Sequence, residues 1–270
     1  MGVSRLTVFW VFHLLAMAVL VAGCWLRVSI WLEGQIDGRA PAGARRALVA
    51  SWRFVRRVGW RRVLRAFIVH GLLHPRLRAG DRRRWQAHAC MLGGFAALAG
   101  LSTLTGFAQE ILIGLFRVDH PLVRALANKD TPLVALLNEV LGLIMVISLA
   151  MIAARRYVRR PSNLRTGRPD TVLIVLLAAT LLSGYPTEVL RLLAEQVPAE
   201  VARYSFVGYL LSLPLRSVRW PWEALHYWVF LFHSLIASAF LASLPFSKLF
   251  HAAVSPLVAA ANTVAREAEA

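Results

Sequence analysis

The chain has 270 residues, of which 58% are apolar, yet it carries a formal charge of +17. A mean hydropathy of +0.57 excludes an ordinary soluble domain of this charge and is typical of apolar membrane helices joined by basic loops. Cys24 and Cys90 are the only cysteines, too few for an iron–sulfur cluster, which needs about four thiolates. We interpret both as core residues in apolar segments.

Five apolar segments are long enough to cross a bilayer, which takes about 20 helical residues. The first is too long, and has too little charge at its start, for a cleaved signal peptide. The sequence therefore predicts an all-α fold, an integral membrane bundle of five transmembrane helices that forms a single domain over residues 1–270. The spans are predicted at residues 8–32, 85–105, 132–153, 171–192 and 224–246.

Basic residues are distributed unequally between the loops. The linker 38–84 carries fourteen arginines and residues 155–168 carry six, whereas loops 106–131 and 193–223 carry three basic residues each. The positive-inside rule then predicts that the N-terminus lies outside and the C-terminus in the cytoplasm. We expect the membrane to be the inner (cytoplasmic) membrane of a prokaryotic cell.

Within this linker, residues 49–73 mix arginine and tryptophan with apolar side chains. The pattern predicts a basic amphipathic helix at the cytoplasmic interface. Attraction to anionic membrane lipid and docking of a cytoplasmic subunit both remain open as its role. Nucleic-acid binding is not expected, because the arginines serve the topology and the aromatic residues face the membrane.

Four histidines lie in or next to the predicted spans, at depths in the membrane that suit haem ligands. His233 and His251 are eighteen residues apart, about 27 Å or five turns of a continuous helix, so both rings would project from one face. His88 begins span two on the side where His251 ends span five, as ligation of one haem by two histidines requires. His13 and His233 lie in outer halves of spans. Histidine is the usual axial ligand of haem iron, although a lone interfacial histidine can simply be a snorkelling side chain.

Three carboxylates, Glu110, Glu139 and Glu188, lie near the outer ends of spans two, three and four. Each could relay the proton released when a membrane quinol is oxidised. The alternative is an interfacial charge or an ion pair, such as Glu188 with Arg191. Glu139 is embedded more deeply than the other two.

Several motifs resemble one family. His233 together with the PFSKLFH motif at residues 245–251 resembles the cytochrome b (gamma) subunit of respiratory nitrate reductase and the related cytochromes of heterodisulfide-reductase and dissimilatory sulfite-reductase-linked complexes. The TGRPDTVLI motif at residues 166–174 is similar to the start of that family's fourth span. The HGLLH motif at residues 70–74 and RRRWQAH at residues 82–88 are more similar to the heterodisulfide-reductase branch.

This resemblance implies a five-span protein that carries haem b. It implies His88 and His251 as ligands of the haem nearer the cytoplasm, and His233 as a ligand of a second, outer haem. The family's usual partner of His233 falls at Leu98, which cannot bind iron, and His13 is the candidate in its place.

We therefore expect an electron-transfer subunit that is not active alone. It would pass electrons between menaquinone or ubiquinone and a cytoplasmic iron–sulfur subunit docked on residues 53–84, residues 155–168 and the region after Lys248. The alternative is a haem-free membrane anchor or assembly subunit whose histidines are structural. A transporter is disfavoured, because repeated halves are not evident in the sequence.

Overall fold

The computed structural model describes residues 5–32, 43–73, 75–162, 164 and 166–269. This described part is helical and contains no β-strand, as the sequence predicts. The start of the basic linker, residues 38–42, and His74 of the HGLLH motif lie outside the described residues.

The helices follow one another with short connections. In chain order they are α1 (Arg5–Leu32), α2 (Gly43–Val58), α3 (Trp60–Ala66), α4 (Pro75–Gly80), α5 (Arg82–Gly106), α6 (Pro121–Ala127), α7 (Pro132–Ala153), α8 (Arg168–Ala194), α9 (Ala199–Ala202), α10 (Phe206–Ser212), α11 (Trp222–Ser243) and α12 (Phe250–Glu269). Three of them continue as π-helical turns, α3 over Phe67–Leu72, α5 over Phe107–Leu115 and α7 over Ala154–Arg159. Two continue as 3₁₀ turns, α10 over Leu213–Leu215 and α11 over Leu244–Phe246.

Five helical segments in the described residues are long and apolar enough to cross a membrane, which confirms the predicted spans. They are Leu6–Ile30, Arg82–Leu115, Pro121–Arg159, Arg168–Ala194 and Trp222–Phe246. The second and third exceed the predicted lengths, because π-helical turns extend α5 and α7 and because the third segment also includes α6. Large apolar side chains such as Val21 and Trp228, which are 63% and 68% exposed, are placed where lipid would cover them.

The chain divides into two compact units. The first unit comprises residues 1–9 and 90–237, and the second comprises residues 10–89 and 238–270. In the first unit α10 packs against α7 and α8, α7 packs against α8, and α6 packs against Phe107–Leu115. Gly94 permits close packing there, since a Cβ at this position would lie 2.9 Å from Met145 Cγ. A single domain over the whole chain stays a prediction.

The TGRPD motif forms the start of α8. Asp170, only 4% exposed, accepts a hydrogen bond from the Gly167 N–H at 3.1 Å and pairs with Arg156 Nη1 at 3.0 Å. The Tyr157 hydroxyl donates to Thr171 Oγ1 at 3.0 Å. The motif is thus a capped helix start that is tied to the end of the preceding span.

In the second unit, α12 packs against α3 and against the π-helical segment Phe67–Leu72. Ala66, Ala260 and Val264 form its buried core, with Phe54, Val58 and Phe67 packed around them. The predicted amphipathic helix is confirmed as helical, but Gly59 divides it with a φ of 94°, a backbone conformation that favours glycine.

The expected continuous helix that carries His233 and His251 on one face is wrong. Helix α11 ends at Ser243, and after a 3₁₀ turn the backbone is extended at Ser247 before α12 begins at Phe250. Pro245 lies in this turn and has no N–H to continue the helix. Its carbonyl instead accepts a hydrogen bond from Arg27 Nε at 3.1 Å.

Candidate functional site

His233 lies on α11 and contacts α8. Its Nδ1 is 2.8 Å from Ser183 Oγ, and both side chains are partly buried. A Cβ added to Gly184 would lie 3.7 Å from His233 Cε1. The ring is thus held against one turn of α8, and its Nε2 remains as the nitrogen for a metal.

His251 lies in the first turn of α12, and its Nδ1 hydrogen bonds to the Lys248 carbonyl oxygen. A carbonyl oxygen only accepts, so Nδ1 carries the proton and Nε2 keeps its lone pair. His88 lies on α5, and both histidines belong to the second unit. Their ligation of one iron stays a prediction.

The remaining histidines have separate positions. His13 on α1 lies edge-on to Trp10, with ring centroids 6.1 Å apart. It belongs to the second unit and His233 to the first, so their pairing also stays a prediction. His120 is the N-cap of α6, where its Nδ1 accepts a hydrogen bond from the Leu122 N–H at 3.2 Å. His226 is buried beside Phe230.

In the part of the chain that the structure describes, no group of three or more histidine, cysteine or acidic side chains is placed to hold a metal ion. Both cysteines are free. Cys24 is partly buried, but Cys90 is exposed on α5. The prediction that Cys90 is a core residue is therefore wrong, because its face of the helix lies on the outside of the protein.

Glu139 is the deeply buried carboxylate of the first unit. It lies on α7 and is 4% exposed. Its Oε1 accepts a long hydrogen bond of 3.4 Å from the Gly208 N–H, while its Oε2 has no hydrogen-bond partner among the described residues. The buried hydroxyl of Tyr185 likewise lacks one there. Such buried polar atoms are costly and, inside a membrane span, mark function by default.

Glu188 on α8 has strong partners instead. Arg191 Nε lies 3.0 Å from Glu188 Oε2, and Arg191 Nη2 lies 2.9 Å from Oε1. Arg191 also donates to Glu195 Oε2 at 2.9 Å and to Asp130 Oδ1 at 2.8 Å. The ion pair of Glu188 with Arg191, the alternative left open above, is thus confirmed.

Gly208 on α10 brings the two carboxylates together. A Cβ at this position would lie 2.8 Å from Glu188 Cγ and 3.5 Å from Glu139 Oε1. Arg191, Asp130 and Glu195 in turn line a surface cleft of about 500 Å³. Glu110, by contrast, is exposed on the π-helical segment after α5. The structure therefore associates Glu139 with Glu188, but it leaves Glu110 at the surface.

Several residues of this site are not evident from the sequence. Arg191 is visible three positions after Glu188, but Asp130 is sixty-one positions before Arg191. Ser183 and Gly208 carry no recognisable motif. Only the packing of α8 against α7, α10 and α11 shows their contacts, so the sequence by itself could not have indicated them.

The spans and their buried ionisable side chains define a multi-pass helical membrane protein. A model of the family described as nitrate reductase gamma subunit matches residues 112–264, which is more than half of the chain. The chain belongs to this family. The matched segment contains Glu139, Glu188, His233 and His251, whereas His13, His88 and Glu110 precede it.

Among curated proteins, the chain is similar to the EtfAB:quinone oxidoreductase of Syntrophomonas wolfei subsp. wolfei. The two are 27% identical over 267 residues, which cover 92% of this chain and 32% of the relative. The chain thus spans about a third of that relative's length. No solved structure matches the chain.

Proposed function

We propose that this protein is a haem b-containing membrane subunit that transfers electrons between the quinone pool and a cytoplasmic iron–sulfur subunit. The proposal rests on one observation. The family-matched segment contains His233 and His251, and each directs its Nδ1 at an oxygen atom. In histidines that bind metal, the nitrogen away from the metal usually donates to such an oxygen. These residues therefore fit haem iron.

In this proposal His88 and His251 would hold one haem, and His233 would hold a second. Bound haem supplies a carrier of single electrons, while the protein supplies ligands and a dry environment. The Lys248 carbonyl fixes the tautomer of His251.

The quinone would react near the buried carboxylates. The name of the relative, EtfAB:quinone oxidoreductase, supports extending quinone reactivity to this chain. Glu139 Oε2, which lacks a hydrogen-bond partner among the described residues, offers an acceptor for a quinol proton. Glu188 contacts Arg191, which lines the surface cleft. Glu110 is a third candidate, at the surface.

A visible spectrum of the purified complex tests the central claim. We expect a reduced-minus-oxidised difference spectrum of low-spin haem b. His88→Ala and His251→Ala should each remove the same spectral component, because both ligate one iron, and His233→Ala should remove another. His120→Asn is the control, because asparagine preserves the cap of α6 and should leave the spectrum unchanged.

Two results would contradict the proposal. An intact complex without haem b would support the haem-free anchor instead. A spectrum that is unchanged in both the His88 and the His251 variants would show that these residues are not ligands.

A further inference from the structure

The hydroxyl group of Ser183 contacts His233, a proposed iron ligand. It lies on α8, facing His233 on α11, with 2.8 Å between Ser183 Oγ and His233 Nδ1. The same hydroxyl donates a hydrogen bond to the Thr180 carbonyl oxygen, 3.2 Å away, within its own helix. Both partners belong to the first unit.

The hydrogen bond from the Ser183 hydroxyl to the Thr180 carbonyl indicates the roles in this contact. A serine hydroxyl has one proton, and a neutral imidazole has one N–H. Once the hydroxyl proton goes to the Thr180 carbonyl, Ser183 Oγ can only accept from His233. The N–H of the ring is then at Nδ1, and Nε2 carries the free lone pair.

We infer that Ser183 is a positioning residue that holds His233 as the Nδ1–H tautomer, with Nε2 free to bind haem iron. The inference rests on the proposed function, since it requires His233 to be an iron ligand. If the hydroxyl donated to Nδ1 instead, the proton of the ring would lie on Nε2 and would block ligation.

The hydrogen bond should also change the midpoint potential of the haem iron. An imidazole that donates through Nδ1 is a more basic ligand, and a more basic ligand favours the oxidised iron. Loss of the acceptor should therefore raise the midpoint potential of this haem. It should also weaken haem binding by about 10- to 100-fold, as is typical for such supporting residues.

Three variants of the complex test this assignment. Ser183→Ala removes the acceptor, Ser183→Cys keeps nearly the same volume with a weak acceptor, and Ser183→Thr keeps the hydroxyl. The control is Ser148→Ala on α7, which removes a buried hydroxyl that donates only within its helix, to the Ile144 carbonyl at 2.7 Å. The measurements are haem content per protein, potentiometric titration and the low-spin electron paramagnetic resonance signal.

We expect the alanine and cysteine variants to show weaker haem retention and a raised potential for the component that His233→Ala abolishes. The threonine variant and the Ser148 control should resemble the wild type. If His233→Ala removes a haem but Ser183→Ala and Ser183→Cys do not change its potential or its retention, the inference is wrong and the proposed function stands. If His233→Ala is spectrally silent, both the inference and the second haem of the proposed function are wrong.

Discussion

Glu139 and Glu188 show how two carboxylates of one site acquire different chemistry from their partners. Arg191 donates to both oxygens of Glu188. The negative charge of Glu188 is therefore balanced, and the role of this carboxylate is structural. Glu139 receives one long hydrogen bond from the backbone, and its Oε2 lacks a hydrogen-bond partner among the described residues. The difference makes Glu139 the stronger candidate for moving a proton, and Glu188 the stronger candidate for holding α8 in place.

Replacing Glu139 with glutamine tests whether this residue transfers a proton. Glu139→Gln keeps the size of the side chain but cannot accept a proton, so haem reduction by quinol should slow by about 100-fold or more. Haem content should not change, because no proposed ligand is affected. Stopped-flow measurement of haem reduction in the purified complex provides the test.

The matched control is Glu200→Gln, which changes an exposed carboxylate on α9 and should leave the rate near that of the wild type. Equal rates in the Glu139 variant and the wild type would exclude Glu139 from proton transfer.

At the scale of elements, close backbone contacts decide how the helices of the second unit assemble. Helix α12 packs on the π-helical segment Phe67–Leu72 at Gly71, whose missing side chain leaves room for Pro256. The π-helical turns themselves extend α3, α5 and α7 beyond their regular helices. Such turns are frequent at functional sites. Here the turn at Phe67–Leu72 forms the surface on which α12 packs.

Gly71→Ala should loosen α12. The added Cβ would lie 2.7 Å from the Pro256 carbonyl oxygen and 2.9 Å from its Cα, and overpacking of this kind costs about 1–3 kcal/mol. Limited proteolysis should then cleave the C-terminal region faster than in the wild type.

Gly80→Ala serves as its control, because a Cβ there would have no described atom within 4 Å. Identical cleavage of both variants would show that α12 does not depend on the contact at Gly71.

At the scale of the whole molecule, we expect the distribution of charge to determine how the protein is oriented in the membrane and which kind of partner it binds. The basic linker and residues 155–168 carry most of the arginines, which predicts that this side faces the cytoplasm. These basic segments are our proposed docking sites for the iron–sulfur subunit, which would be held by attraction to an acidic partner surface. Such attraction weakens as salt rises.

Charge reversal at Arg82, Arg83 and Arg84 should release the soluble partner from the purified complex, and raised salt should have the same effect on the wild type. Protease accessibility of the C-terminal tail, measured on both faces of sealed vesicles, provides the control for orientation. If the tail remains cytoplasmic and the partner still co-purifies in full amount, these arginines serve lipid binding and orientation only.

The sequence by itself determined the five spans, the basic amphipathic segment and the family. These features follow from local composition and from short motifs, because a membrane requires long apolar helices whatever their neighbours are. It also indicated the pairing of Glu188 with Arg191, since residues three apart on a helix are neighbours.

Only the tertiary structure decided the rest. The break at Pro245–Ser247 places His233 and His251 on separate helices, although spacing alone predicted one helix. The contact of Ser183 with His233 and that of Asp130 with Arg191 join residues fifty and sixty-one positions apart. Packing between helices creates these contacts, and neither helical periodicity nor composition encodes which helices meet.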